Sequence, residues 1–359
     1  MQVIVLSFVT AFTLTYFAIP PIIRIALAKN LVDEPDERRS HTVRTPSLGG
    51  IGIFSGSIFA IVLWTPFSQF GNLQYILCAF IILFLVGAKD DISPIPAKKK
   101  LIAQFIAASI LALKSDIMLT SLYGLFGVYN ELPFWISYII TIFFILVLIN
   151  AFNLIDGING LAGGIGILVL GTLGCWFFLI GRLEFATLAF SSAGAIAAFL
   201  RYNFTPARIF MGDTGSLLIG VIVAILLIKF MDLNYLLSSG NPYRFANGPG
   251  VALGIAILPL FDTLRVFATR IIRGQSPLKP DRRHIHHLLI DYGLSHMQAT
   301  GVLVFVNAGF IVFVFTFHDL IDAHVLVGSV LAIASGMTYA LHKSVNRKNS
   351  GTANPLVSA

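Results

Sequence analysis

An all-α fold of about eleven membrane-crossing helices is what this sequence predicts, and three observations carry that prediction. Of the 359 residues, 57% are hydrophobic and only 11% charged, whereas a soluble domain carries roughly 25% charged residues. The apolar residues fall into runs of the length a bilayer demands, about 20 residues per crossing. Lys and Arg crowd alternate connections between those runs, the pattern that sets orientation in membrane proteins.

The crossings are centred near residues 12, 57, 81, 110, 143, 170, 192, 222, 260, 308 and 333. The first, Met1 to Ile23, has no basic leader and no small-residue cleavage site, so it reads as a retained helix and not a signal peptide. Arg24, Lys29, Arg38, Arg39 and Arg44 follow it, and Lys89, Lys98, Lys99 and Lys100 follow the third. Arg201 and Arg208 follow the seventh, Arg270 to Arg283 the ninth, and Lys343, Arg347 and Lys348 the last. The even connections are nearly bare, Arg182 and Arg244 being the exceptions. This alternation predicts an outside N-terminus and a cytoplasmic C-terminus. Residues 1–345 are expected to form one transmembrane domain and residues 346–359 a disordered tail. No repeat of fixed length divides the chain, which counts against an inverted-repeat transporter. Cys78 and Cys175 are too far apart for a metal pair and are expected to serve packing.

The polar residues with chemical potential gather at the predicted cytoplasmic ends of the helices, in five clusters. Arg44-Thr45-Pro46-Ser47-Leu48-Gly49-Gly50 reads either as a basic turn or as part of a site. Asp90 and Asp91, adjacent at a helix C-terminus, oppose the helix dipole and repel each other, so they call for a cation. Lys100, beyond them, reads as the lysine that neutralises a diphosphate handled by the pair. Asn150 to Leu161 holds Asn153 and Asp156 three apart, facing one way if the helix continues that far, with Asn159 beyond. Asp213 in Phe210-Met211-Gly212-Asp213-Thr214-Gly215-Ser216 suits either a helix cap or a hard oxygen ligand for Mg²⁺. Arg283, His284, His286 and His287 offer charge and hydrogen bonds to a diphosphate or sugar; their spacing is not a helical zinc pair.

In this order the clusters resemble the polyprenyl-phosphate N-acetylhexosamine-1-phosphate transferases, specifically the bacterial branch that uses UDP-GlcNAc and undecaprenyl phosphate. Thr45 to Gly50, Asp90-Asp91, Asn150 to Gly157, Phe210 to Ser216 and His284-Ile285-His286-His287 carry the likeness over most of the chain. It implies a cytoplasmic cleft at a bacterial inner membrane, dependence on Mg²⁺ (with Mn²⁺ as a substitute), and transfer of a sugar-1-phosphate with loss of UMP, starting a cell-envelope glycan. The partners expected are the two substrates and the bilayer, with no nucleic acid and with a homodimer left open. Relatives commonly carry an acidic residue where this chain has Asn159, so an acidic role is in doubt there. A phospho-MurNAc-pentapeptide transferase is the runner-up within the family, and a secondary transporter the alternative outside it.

The acceptor, a phosphate monoester with a second pKa near 6, is already nucleophilic at neutral pH, so the demand is for charge neutralisation and alignment. Asp213 and Asn153 are therefore expected to hold Mg²⁺. Arg44, Lys100, Asn159, Arg283, His284, His286 and His287 are expected to contact substrate. Asp90, Asp91 and Asp156 are the catalytic candidates, in a direct transfer or through a covalent intermediate, with the direct route preferred.

Overall fold

The computed structural model describes residues 1–32, 44–69, 71–275 and 284–352. Among the described residues the fold is all helical, with no β-strand. Its helices are α1 (Gln2–Ala28), α2 (Gly49–Trp64), α3 (Leu73–Ile92), α4 (Ala97–Lys114), α5 (Phe134–Ile155), α6 (Leu161–Leu179) and α7 (Leu183–Asn203). They continue with α8 (Gly212–Leu236), α9 (Gly248–Ile255), α10 (Ile257–Ile272), α11 (Ile285–Tyr292), α12 (His296–Phe317) and α13 (Ala323–Thr352). Local chemistry sets their ends. Pro96 and Pro133 precede the first residues of α4 and α5, where a missing amide and a fixed φ suit a helix start. Ser295 and Gln298 form a reciprocal capping box on α12.

Every predicted centre falls inside a helix. Seven helices are long and apolar enough to cross a bilayer, or eight when α9 and α10 count as one span bent by 83°. The chain is thus a multi-pass membrane protein. The shorter α2, with 16 residues, falls below that length. The ninth apolar run, expected as one helix, breaks at Ala256. Backbone groups freed by a break inside a membrane need partners, and the buried Asn307 of α12 supplies them. Its Oδ1 accepts from Leu258 N at 3.1 Å and its Nδ2 donates to Ile255 O at 2.9 Å.

Helix α8 is the axis, buried over nearly its whole length and packed by α2, α3, α5, α6, α7 and α9. Glycines permit the closest approaches. A Cβ on Gly50 would stand 2.2 Å from Gly215 N, and one on Gly87 2.6 Å from Thr214 Cα. Outward faces carry exposed Phe17, Trp135 and Phe305, as lipid-facing surfaces do. Cys78 and Cys175 are exposed there too, which removes the packing role expected of them. Helix α13 runs on to Thr352, so the tail expected from residue 346 begins as helix, and residues 353–359 lie outside the described residues.

Candidate active site

Connections between alternate helices meet at one end of the bundle. The turn from α3 to α4 brings Asp90 and Lys100 together. Asp90 Oδ1 accepts from Ile95 N at 2.8 Å, closing the turn, while Oδ2 stands 2.6 Å from Lys100 Nζ. The same ammonium lies 2.6 Å from Asp213 Oδ2 in the first turn of α8. One cation therefore joins two carboxylates that are 123 residues apart in sequence, which relieves the repulsion that adjacent anions at a helix end would suffer. Asn153, in the last turn of α5, donates its amide to Asp213 Oδ1 at 2.9 Å and to Ser216 Oγ at 3.0 Å. It orients Asp213.

Asp91 has a different office from the one its neighbour suggests. Its Oδ1 accepts from Asp213 N at 2.7 Å, and its Oδ2 from Thr214 N at 3.0 Å and Thr214 Oγ1 at 2.5 Å. Neither Asp213 nor Thr214 caps α8 by its own side chain; a carboxylate from α3 satisfies the orphan amides instead. Gly212 has φ +71°, and a Cβ there would meet Ser47 O at 2.2 Å and Asp91 Oδ1 at 2.6 Å. The segment before α2 completes the frame. Phe210 N donates to Pro46 O at 2.7 Å, and Gly49 N and Gly50 N donate to Phe210 O and Met211 O at 2.9 and 2.8 Å. The Pro-Gly cluster thus buttresses the loop that carries Asp213.

Helix α5 stops at Ile155, leaving Asp156 as its C-cap residue with φ −75° and ψ 46°. Asn153 and Asp156 therefore do not share a helical face, although both line the same cavity. Removal from water, and then the charges of Asp213 and Asp91, push the Asp156 carboxyl up to about 8. Gly157 follows, and the His286 ring lies against it: a Cβ on Gly157 would stand 2.3 Å from Nε2. His286 is 2% exposed, and neither ring nitrogen has a hydrogen-bond partner. Burial, with His287 beside it, pushes its imidazole down to about 3. It is a neutral ring under the turn.

These elements enclose a cavity of about 490 Å³. Asp90, Asp91, Asn153, Asp156, Asn159, Asp213 and His287 all line it. Lys100 reaches two of those carboxylates. Asn159 is tied by its amide to Thr205 Oγ1 at 3.0 Å. Arg44 is exposed and is not among the lining residues, and neither are His284 and His286. His284 and His286 are buried, His284 against Asp262 and His286 against Gly157. Arg283 lies outside the described residues. Sequence reasoning missed His296, which lines the cavity, and Asp262, which accepts from His284 Nδ1 at 2.9 Å. The Ser295–Gln298 capping box places His296 in the first turn of α12; the sequence holds no comparable signal for Asp262, an acid inside an apolar run.

Among the described residues no group of three or more His, Cys, Asp or Glu could hold a metal by itself. The donors fit Mg²⁺ in another way. Two carboxylate oxygens already share one cation, the Lys100 ammonium, and Mg²⁺ takes one or two protein carboxylates and fills its shell with water and substrate phosphate.

Fold and cleft define a multi-pass membrane protein with an acid-lined polar cleft at one end of its helices. Residues 73–231 match the profile of glycosyl transferase family 4. The chain is 34% identical over 319 residues to the probable undecaprenyl-phosphate N-acetylglucosaminyl 1-phosphate transferase of Bacillus subtilis, covering 86% of this chain and 82% of that protein. It is 32% identical over 280 residues to the undecaprenyl-phosphate alpha-N-acetylglucosaminyl 1-phosphate transferase of Yersinia pestis, covering 77% and 74%, and 31% identical to that of Escherichia coli K12 over 77% and 73%. The chain belongs to glycosyl transferase family 4.

Proposed function

We propose that this protein transfers GlcNAc-1-phosphate from UDP-GlcNAc to undecaprenyl phosphate at the cytoplasmic face of a bacterial inner membrane, with release of UMP. The observation that carries the reading is the Lys100-bridged pair of Asp90 and Asp213, in a cavity spacious enough for a diphosphate. The relatives' names give the acceptor and the sugar phosphate, and they favour this reaction over MurNAc-pentapeptide transfer and over transport.

In the reaction a phosphate oxygen of the acceptor bonds to the β-phosphorus of the donor, and the bond from that phosphorus to the bridging oxygen breaks. UMP leaves with the electron pair. Asp213 would hold Mg²⁺, with Mn²⁺ as a substitute, partnered by Asp90, which shares Lys100 with it, in place of the expected Asn153, whose amide is committed to Asp213 and Ser216; the ion would supply charge neutralisation at the diphosphate. Asn153 orients Asp213, and Asp91 fixes the amides on which Asp213 rides. Lys100, released from one carboxylate, turns its charge to the diphosphate. Asp156, whose carboxyl is pushed up to about 8 by removal from water and by the charges of Asp213 and Asp91, donates a hydrogen bond to a phosphate oxygen in its protonated form. Because the acceptor is already a dianion, no general base is required and transfer is direct. His287, Asn159 and His296 form the donor wall.

The eleven-crossing topology, with the N-terminus outside, is supported by the gathering of alternate connections at the cleft and by their basic residues. Residues 1–345 serve as one catalytic domain. The test is donor labelling with radiophosphorus: label in the β-phosphate should enter the lipid extract and label in the α-phosphate should stay in water as UMP. Both labels in the lipid, or neither, would refute the reaction.

A further inference from the structure

We propose that Asp262 is a positioning residue for the donor side of the cleft, fixing His284 and the first turn of α11, and through them the seat of His286 and His287. The inference rests on the proposed reaction for what the wall binds, and on geometry alone for what Asp262 does.

Asp262 is 2% exposed on α10, where a carboxylate persists only if its oxygens are satisfied. Both are. Oδ1 accepts from Arg265 Nη2 at 2.8 Å and from Ile285 N at 3.1 Å, and Oδ2 pairs with His284 Nδ1 at 2.9 Å. Ile285 is the first residue of α11, and His284, its N-cap, makes no capping bond with its own side chain. Asp262 therefore supplies the acceptor that the helix start lacks. Helix α11 has only eight residues, too few to hold a helix in isolation, so its place comes from what it touches.

The placement matters at the next two residues. His286 lies under Gly157, one residue from Asp156, and His287 forms part of the cavity wall. The Nδ1 contact also fixes which way the His284 ring faces, as a carboxylate partner does for histidines elsewhere. The break at Ala256 is what delivers Asp262: an unbroken helix would carry it along the axis of α9, and the 83° bend turns it toward α11. Asp262 is not among the described residues that line the cavity, so its effect on substrate runs through the α11 histidines.

The experiment uses full-length protein in nanodiscs and compares Asp262→Ala, Asp262→Asn, His284→Ala and the double variant Asp262→Ala/His284→Ala. Asp262→Ala is expected to raise KM for UDP-GlcNAc about 10-fold or more, with KM for undecaprenyl phosphate within about 2-fold. Asp262→Asn, which keeps an acceptor for Ile285 N, should fall between parent and alanine. The double variant should be no worse than the weaker single, as expected of residues acting through one contact. A spin-label distance between Tyr292→Cys on α11 and Lys99→Cys on α4, in protein with Cys78 and Cys175 replaced, should broaden when Asp262 is removed. Should the alanine variant fail to fold, the asparagine variant carries both readouts. Equal rises in both KM values, or an unchanged distance distribution, would overturn the assignment. A parent that releases no UMP would instead sink the proposed reaction, while the distance readout still decides the positioning claim.

Discussion

Asp91 binds Thr214 twice through a single oxygen, accepting from its amide at 3.0 Å and from its hydroxyl at 2.5 Å. A carboxylate at the end of one helix thereby caps the start of another, and the capped helix carries Asp213. Asp91→Asn would turn an amide NH₂ toward backbone N–H groups. Losing such buried bonds destabilises by about 1–3 kcal/mol, so this variant should lose both activity and several degrees of Tm. Asp90→Asn, which keeps an oxygen for Ile95 N, should lose activity with Tm nearly unchanged. Thermal unfolding of the two variants checks the contrast; equal Tm losses would remove the distinction between the two aspartates.

Lys100 occupies the position between Asp90 and Asp213 that a divalent cation would contest. Lys100→Met leaves two carboxylates facing each other without a counter-charge. The metal-free variant should unfold at a lower temperature than the parent, and added Mg²⁺ should raise its Tm by more than it raises the parent's. A smaller Mg²⁺ shift in the variant would mean that the ion and the ammonium do not compete.

Asp156 makes stability depend on pH. Its carboxyl is raised from 3.8 to about 8 by burial and by Asp213 and Asp91, so between those values the folded state binds a proton that the unfolded chain has released. Stability from this group is full below about 4 and is lost as pH rises through about 8. In metal-free protein, Tm of the parent minus Tm of Asp156→Asn should therefore fall from pH 6 to pH 8 and level off above. A difference that is flat or rises over that window would contradict the assignment.

Gly157 gives its missing side chain to His286. With Nε2 at 2.3 Å from where a Cβ would stand and the ring held in a buried site, Gly157→Ala forces ring or turn to move, at about 1–3 kcal/mol for an overpacked core. Gly157→Ala should lower Tm and impair turnover, and His286→Ala in the same chain should recover part of the Tm. No recovery in the double variant would place the strain elsewhere.

Much of this was legible in sequence because the bilayer imposes simple demands. Apolar run length located the helix centres, and polar clusters at run ends located Asp90, Asn153, Asp156 and Asp213. What escaped was tertiary. Periodicity cannot tell that Asp91 spends its oxygens on a helix 122 residues away, or that α5 stops one residue short of Asp156. The histidines at the start of α11 looked alike in sequence, yet within about one turn of backbone His284 meets an acid, His286 a glycine and His287 the cavity. Asp262 was hidden because nothing in the sequence links it to His284 and Ile285, which it meets only once the chain bends at Ala256.

The most direct test of the central claim is UMP release by purified protein given UDP-GlcNAc, undecaprenyl phosphate and Mg²⁺, each omitted in turn, with Asp213→Asn alongside. The account predicts UMP only when all three are present, and a fall of about 100-fold or more in the variant, the scale on which removing one electrostatic group at a reacting centre acts. UMP formed without the lipid, or undiminished turnover by Asp213→Asn, would contradict it.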